Sequence, residues 1–266
     1  MINVIEYIKN NSENEISSRE IEKISGYTYR HFQRIFKKIF SETIQNFITR
    51  TRLEIAYKKL IYTNDSISDI ALILNYKSLQ SFSKAFSTKF LISPSKARKN
   101  KEDFFLSFIS SIENSIEINK VFIEKQYVYY KFIKTNNYNN DEINKVWREL
   151  DIKNTSIKSY NSYGIIADQP LITEHKNCIY GFAIDKIYST HHNLIKKEIF
   201  GRNYLKFTHY GSYDTIEETY KQFYKYWINH QKIELGESEV IEHYVVSAKE
   251  SSQEKDYITN IYFPLK

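Results

Sequence analysis

Two stretches in the N-terminal half carry polar side chains, at helical spacing, that could hydrogen-bond to nucleic-acid bases. The side chains expected to project from one helix face are Tyr29, Arg30, Gln33 and Arg34 in the first stretch and Gln80, Ser83 and Lys84 in the second. Arginine and lysine can donate to guanine edges, and glutamine can bind adenine bidentately, so both faces have the chemistry of a major-groove reader. For either stretch alone, an ordinary solvated helix face is the alternative interpretation.

Both stretches belong to a sequence repeat. Residues 20–40 align with residues 69–90, and the aligned aromatic positions are Phe32, Phe36 and Phe40 against Phe82, Phe86 and Phe90. Each copy predicts a short helix, a turn and a longer helix, because apolar residues recur at three- and four-residue steps on both sides of a break. Gly26 and Asn75 stand at the breaks, and both residue types readily adopt positive φ. The repeat therefore predicts two helix-turn-helix units.

The segment between the copies predicts one long helix. Residues 44–63 contain no Gly or Pro, and their apolar positions include Ile44, Ile48, Leu53, Ile55, Ala56 and Leu60. A stiff helix of this length would hold the two recognition helices about one DNA turn, roughly 34 Å, apart. One chain could then bind a duplex alone, and we expect a monomer or a weak dimer.

The positive charge is concentrated in the N-terminal part. Residues 1–105 carry 18 Lys and Arg against 11 Asp and Glu, whereas residues 106–266 carry 20 against 21. A basic domain joined to a nearly neutral one is typical of a polyanion-binding protein, since phosphate neutralisation supplies most non-specific affinity for nucleic acid. A basic surface without a partner is the alternative.

Cysteine usage and hydropathy indicate an internal protein. Cys178 is the only cysteine, so no intrachain disulfide can form, and the cytoplasm is the expected compartment. The first residues lack the basic start and long apolar stretch of a secretion signal, and we expect no membrane segment.

Residues 3–103 resemble the DNA-binding domain of the AraC/XylS family of bacterial transcription regulators. The stretch ISDIALILNYKSLQSFSKAFSTKFLISPSKAR carries most of the resemblance. The resemblance implies that base edges or phosphates are contacted by Arg30, Gln33, Arg34, Gln80 and Lys84. Lys84 stands where relatives often carry arginine, which alone makes a forked contact, and Leu79 stands where a polar reader is common. We therefore expect the second unit to bind less specifically than the first.

The C-terminal half alternates β-prone runs with two helical stretches. Runs rich in β-branched and aromatic residues predict strands at residues 121–134, 161–168, 177–185, 203–211, 240–247 and 257–265. Helices are predicted at residues 141–151 and 212–228. This order predicts two βαββ modules with an antiparallel sheet and helices on one side. The expected fold is multidomain: an all-α double helix-turn-helix domain (1–103), a linker (104–120) and an α+β domain (121–266).

Residues 121–265 resemble the GyrI-like effector-binding domain, which occurs alone and fused to regulators that sense hydrophobic, often cationic, compounds. The stretches KFTHYGSYDTIEETYKQFYKYWI, VIEHY and IYFPLK carry the resemblance. It implies that Glu242 faces a pocket, with Tyr244 on the same strand face, and a carboxylate in an aromatic cage can attract an organic cation. Further cage candidates are Trp147, Tyr163, Tyr180 and Phe182. The alternatives are core packing for each aromatic residue and a surface position for Glu242.

Nucleotide-binding glycine loops and hydrolase serine motifs do not occur, and we expect no cofactor. We also expect no metal site, since His191 and His192 are adjacent in a loop, and no nucleophilic role for Cys178, which lies in an apolar run without a nearby base. The sequence predicts a transcription activator whose partners are double-stranded DNA, a small effector and RNA polymerase. Two alternatives stay open. The C-terminal domain could be a small-molecule hydrolase that uses Glu242 and Tyr244 as an acid–base pair, or a protein-binding module on a constitutive DNA-binding protein.

Overall fold

The computed structural model describes residues 1–109, 116–153, 160–186, 194–230 and 232–266. Contacts divide the chain into two compact units, Met1–Asn100 and Lys101–Lys266. Among these described residues, no helix combines the length and the apolar character needed to cross a membrane.

The first unit is helical. Its helices are α1 (Ile2–Asn10), α2 (Ser18–Ser25), α3 (Tyr29–Phe40), α4 (Ile44–Tyr62), α5 (Ile67–Ile73), α6 (Leu79–Phe90) and α7 (Pro94–Lys99). The hydroxyls of Ser17, Thr28 and Ser78 accept backbone N–H groups at the starts of α2, α3 and α6. Gly26 and Asn75 adopt φ values of 72° and 61° at the two turns. The predicted helix-turn-helix repeat and the single long helix between its copies are confirmed.

The aromatic repeat forms the core of this unit. Phe36 is fully buried and stacks on Phe40, with ring centroids 4.5 Å apart. Phe86 is its counterpart in α6 and contacts Tyr57 of α4 at 5.4 Å. Because these rings turn inward, the polar side chains between them are left on the outer faces of α3 and α6.

A helix before the sheet belongs to the second unit. This helix, α8 (Lys101–Ile109), includes residues 104–109 of the segment predicted as a linker. Phe105 is fully buried, stacks on Tyr224 at 4.6 Å and meets the edge of Trp227 at 5.7 Å. Burial of these rings accounts for the helix lying with the C-terminal unit.

The described residues of the second unit also form one antiparallel sheet and two further α-helices. The strands are β1 (Asn119–Ile123), β2 (Gln126–Thr135), β3 (Ser162–Ile166), β4 (Cys178–Ile184), β5 (Ile195–Ile199), β6 (Arg202–Tyr210), β7 (Val240–Val246) and β8 (Ile258–Pro264). The helices are α9 (Asn140–Lys153) and α10 (Ile216–Asn229). The strand order is β1-β6-β8-β7-β3-β4-β2-β5, so the two βαββ modules, β2-α9-β3-β4 and β6-α10-β7-β8, meet at the β3–β7 pair.

One strand prediction is corrected, and one strand had not been predicted. The run at 121–134 is two strands, because β1 pairs with β6 of the other module, whereas β2 pairs with β4 and β5. Strand β5 was not predicted; its sequence, IKKEI, is short and charged, as is common for a strand at a sheet edge.

The helix α10 covers one face of the second module. Phe223 stacks on Phe207 of β6 at 4.6 Å and on Phe263 of β8 at 4.7 Å. Before α10, Ser212 caps a 3-10 turn at Tyr213–Thr215. This packing fixes the orientation of α10 and so determines which of its side chains face the β3–β7 junction.

Candidate functional site

A buried carboxylate lies at the junction of the two modules. Glu242 is on β7, opposite Gly164 of β3, and is 4% exposed. Its Oε1 accepts a hydrogen bond from the Tyr220 hydroxyl of α10 at 2.8 Å, and its Oε2 accepts one from the Tyr244 hydroxyl at 2.7 Å. Glu242 and Tyr244 share a strand face because side chains two residues apart point the same way.

The hydrogen-bond network continues into the first module. The hydroxyl oxygens of Tyr244 and Tyr180 are 2.7 Å apart, and the indole Nε1 of Trp147 donates to Tyr180 Oη at 2.9 Å. Since the Tyr244 hydroxyl donates its hydrogen bond to Glu242, its oxygen accepts one from the Tyr180 hydroxyl. The Trp147 ring meets Tyr244 and Phe182 edge-on, each at 5.7 Å. The structure thus brings together five of the six predicted effector-site residues.

Burial dominates the electrostatics of this network. Desolvation raises the pKa of Glu242, although the hydrogen bonds from Tyr244 and Tyr220 act in the opposite direction. Burial, followed by the nearby carboxylate, also raises the pKa values of Tyr180, Tyr220 and Tyr244, so their hydroxyls stay protonated at neutral pH. Among the described residues, no Lys, Arg or His pairs with Glu242.

Tyr163 does not join the network. It lies on β3 opposite His243, and the two rings stack with centroids 4.9 Å apart. His243 is next to Glu242 in sequence, so it points to the other face of the sheet, and Tyr163 lies on that face with it. The prediction for Tyr163 did not determine which side chains of β3 lie on the same face of the sheet as Glu242.

Two tyrosines near the carboxylate were not predicted. Tyr220 binds Glu242 directly, and the ring of Tyr213 in the 3-10 turn lies edge-on to Tyr244 at 5.4 Å. A sequence signal existed for Tyr220, because it occupies the same helical face as Phe223 and Trp227. No comparable periodicity marks Tyr213, which precedes the helix.

The predicted reading face of α3 is accessible. Arg30 and Arg34 are exposed, and Tyr29 and Gln33 are partly exposed. The Arg34 guanidinium lies 3.2 Å from the His31 ring nitrogen Nδ1. Two exposed guanidinium groups one helical turn apart can contact phosphate oxygens or guanine edges.

The equivalent face of α6 is less cationic. Gln80 and Lys84 are exposed, and Ser83 is partly exposed. Leu79, the first residue of α6, is 46% exposed and offers no hydrogen bond. The two faces therefore differ in charge and in hydrogen-bonding capacity, although their helices are repeats of each other.

The sequence candidates for metal-ligating and nucleophilic side chains are His191, His192 and Cys178. The part of the chain that the structure describes contains no group of three or more His, Cys, Asp or Glu side chains able to hold a metal ion. Cys178 is buried in β4. His191 and His192 lie outside the described residues.

Comparisons with known proteins match both parts of the chain. Residues 116–266 match the family described as the GyrI-like small molecule binding domain, and residues 22–100 match a helix-turn-helix domain family. The HTH-type transcriptional activator AarP of Providencia stuartii is 40% identical over 95 residues, which cover 36% of this chain and 70% of AarP. Regulatory protein SoxS of Salmonella typhimurium is 34% identical over 95 residues, which cover 36% of this chain and 89% of SoxS.

A solved structure is similar over most of the chain. It is described as a cryo-EM structure of an EcmrR-DNA complex in EcmrR-RPo, is 14% identical, covers 93% of this chain and 98% of that chain, and has a TM-score of 0.46. The family of the chain follows from the sequence matches to the two family models and to AarP and SoxS. These matches show that the chain belongs to the AraC-type helix-turn-helix transcription regulators and, through residues 116–266, to the GyrI-like small molecule binding family.

Proposed function

We propose that this chain is a transcription activator controlled by a small organic cation that binds at Glu242. The observation that carries the proposal is the buried carboxylate, which accepts hydrogen bonds from Tyr220 and Tyr244 and has no cationic partner among the described residues. An organic cation would supply the missing counter-charge, and the rings of Trp147 and Tyr180 would add cation–π attraction.

The DNA contacts are assigned to the outer faces of α3 and α6. Their exposed Arg30, Arg34, Gln80 and Lys84 side chains and the basic N-terminal part support this assignment. Both helices would enter the major groove of one duplex, which a single chain can contact without a partner copy. We expect the protein to act as a monomer, or at most as a weak dimer.

Activation would need two states with unequal affinity for the effector. A cation that binds one state more tightly shifts the chain toward that state and changes how productively it engages DNA or RNA polymerase. The similarity to AarP, which is described as a transcriptional activator, supports activation rather than repression.

A second candidate function for the C-terminal unit is hydrolysis. The Tyr244 hydroxyl and the Glu242 carboxylate are 2.7 Å apart, a separation suited to proton transfer. If the unit is an enzyme, the full chain will convert a bound compound into a product detectable by mass spectrometry. If it is a sensor, the compound will be recovered unchanged after prolonged incubation.

The regulator is tested by fluorescence anisotropy of the full chain on DNA from upstream of its own and neighbouring genes. Salt and random competitor DNA are titrated, and each promoter fragment is measured with and without candidate cations. We expect salt-sensitive, competitor-resistant binding to at least one fragment. Binding without sequence preference would contradict the proposal. If the C-terminal half binds only another protein and no small ligand, no cation should raise the Tm of the full chain.

A further inference from the structure

A glycine lies directly beneath the hydrogen-bond network. Gly164 of β3 pairs with Glu242, and a Cβ placed on Gly164 would lie 2.5 Å from Tyr244 Oη, 2.9 Å from Glu242 Oε2 and 3.0 Å from Tyr180 Oη. Its φ lies outside the positive range, so the backbone conformation does not require glycine. The requirement comes instead from three oxygen atoms that converge on the space a side chain would fill.

The symmetry of the sheet makes Gly164 the counterpart of Glu242. The strand order reads alike from both edges, with β3 equivalent to β7, β4 to β8 and β2 to β6. In each module the hydrogen-bonded pairing can be followed residue by residue from the outer strands to the strand at the junction. Matching positions on the outer strands lead to Gly164 in the first module and to Glu242 in the second, so the two residues are equivalent. The two residues also pair with each other across the junction. The modules thus place a carboxylate and an empty position side by side at their pseudo-two-fold axis.

We propose that Gly164 is a specificity-determining position for the effector, because the absence of its side chain lets one carboxylate from the second module close a network with Tyr180 and Trp147 of the first. This proposal rests on the function proposed for Glu242. A side chain at 164 would push the Tyr244 hydroxyl and the Glu242 carboxylate away from Tyr180. The acid would then lose its fixed place between the modules.

The crowding differs in kind from that at another strand glycine. At Gly164 the crowded atoms are the ends of side chains, which can move. At Gly181 a Cβ would clash with the Tyr130 ring and lie 2.9 Å from the backbone oxygen of Ile165. We therefore expect Gly164→Ala to fold with a displaced network, whereas Gly181→Ala would strain the sheet itself.

The first test is a double-mutant cycle that needs no effector. Gly164→Ala, Tyr244→Phe and the double variant are unfolded in denaturant as full chains, with tryptophan emission as the signal. Both tryptophans of the chain, Trp147 and Trp227, lie in the second unit, so the signal reports that unit alone. Removal of the Tyr244 hydroxyl deletes the atom closest to the new methyl group. The effect of Gly164→Ala on the unfolding equilibrium constant should therefore be smaller, by at least about threefold, in the Tyr244→Phe background.

Gly236→Ala is the matched control for this cycle. The three atoms nearest to its Cβ would belong to Leu265 and Pro264, at 3.2–3.5 Å, so its effect should be the same with and without the Tyr244 hydroxyl. Additive effects of Gly164→Ala and Tyr244→Phe would overturn the proposed crowding, whatever the effector is.

The second test measures specificity with two isosteric probes, phenyltrimethylammonium and the neutral tert-butylbenzene. Wild-type protein and the Gly236→Ala variant should prefer the cation, and Gly164→Ala should reduce this preference by about tenfold or more. An unchanged preference in Gly164→Ala would overturn the specificity role. If wild-type protein shows no preference, the proposed function at Glu242 fails, together with the specificity role of Gly164, while the double-mutant cycle still decides the network geometry.

Discussion

Replacing Glu242 by glutamine should stabilise the effector-free protein while removing the charge that the effector requires. Desolvation of an ion in a protein interior costs several kcal/mol, and each hydrogen bond to a charged group returns about 1.5–3 kcal/mol. The raised pKa of Glu242 shows that the desolvation cost exceeds the stabilisation from its two tyrosine hydrogen bonds. Glutamine keeps the shape without a charge: its amide oxygen can accept from one hydroxyl, and its amide NH2 can donate to the oxygen of the other. We therefore expect Glu242→Gln to stabilise the second unit by about 1–3 kcal/mol at neutral pH.

The stability difference between Glu242→Gln and wild type should depend on pH. Because the pKa of Glu242 is higher in the folded than in the unfolded protein, the folded state binds more protons, and the charged acid destabilises the fold once the pH rises above the ordinary glutamate value. The advantage of Glu242→Gln over wild type should be absent in acid, grow as the pH rises through the raised pKa and then level off.

The assay is thermal unfolding of the full chain, followed by tryptophan emission at several pH values. A gain of the expected size raises the Tm by roughly 2–12 °C for a unit of this length. Glu149→Gln is the matched control, because Glu149 is exposed on α9 and the same charge is removed in water. A Tm for Glu242→Gln equal to or below that of wild type at neutral pH would refute the reasoning.

Three further predictions concern DNA binding, the aromatic core and pH. Arg34→Ala should weaken specific DNA binding by about 1–3 kcal/mol if Arg34 reads a base. Lys84→Ala should mainly reduce the slope of binding against salt concentration, by about 1, if Lys84 contacts phosphate. Fluorescence anisotropy in which neither variant differs from wild type would contradict both contacts. Phe36→Ala should lower the free energy of unfolding of the first unit by about 3–5 kcal/mol, because Phe36 is fully buried, and Ile39→Ala at a half-exposed position should lower it much less. Thermal unfolding followed by helical circular dichroism measures the difference. Equal losses of stability in the two variants would disprove the prediction. Burial lowers the pKa of His209, whose neutral ring hydrogen-bonds to Thr219 and to the Ser212 carbonyl. The stability that neutral His209 gives the fold should therefore be present above about pH 6.5 and be lost as the pH falls through the lowered pKa. The Tm should fall less steeply with pH in His209→Gln than in wild type.

Local patterns predicted the helical unit well. The positive φ values at Gly26 and Asn75 follow from residue type, and the inward faces of α3 and α6 follow from phenylalanines at every fourth position. Helix-turn-helix geometry depends on contacts between residues close in sequence, so periodicity and turn residues carry most of the information.

The sheet depends on contacts between distant segments, and here the sequence was less informative. The separate pairing of β1 with β6 could not be read from an unbroken β-prone run. The phase of β3 decided that Tyr163 faces away from Glu242, and a one-residue difference in phase reverses every side chain of a strand. The role of Gly164 follows only from the strand registers, which leave no local signature in the sequence. The helical face of Tyr220 could be read from the sequence, but its contact with Glu242 depends on how that helix packs on the sheet.

The central claim is that the Glu242 carboxylate binds the positive charge of the effector. The most direct measurement is the affinity of the full chain for phenyltrimethylammonium and for tert-butylbenzene, in wild type and in Glu242→Gln. We predict that wild-type protein binds the cation at least about tenfold more tightly than its neutral isostere and that Glu242→Gln binds the two equally. Equal binding of the two probes by wild-type protein, or an unchanged preference in Glu242→Gln, would contradict the account.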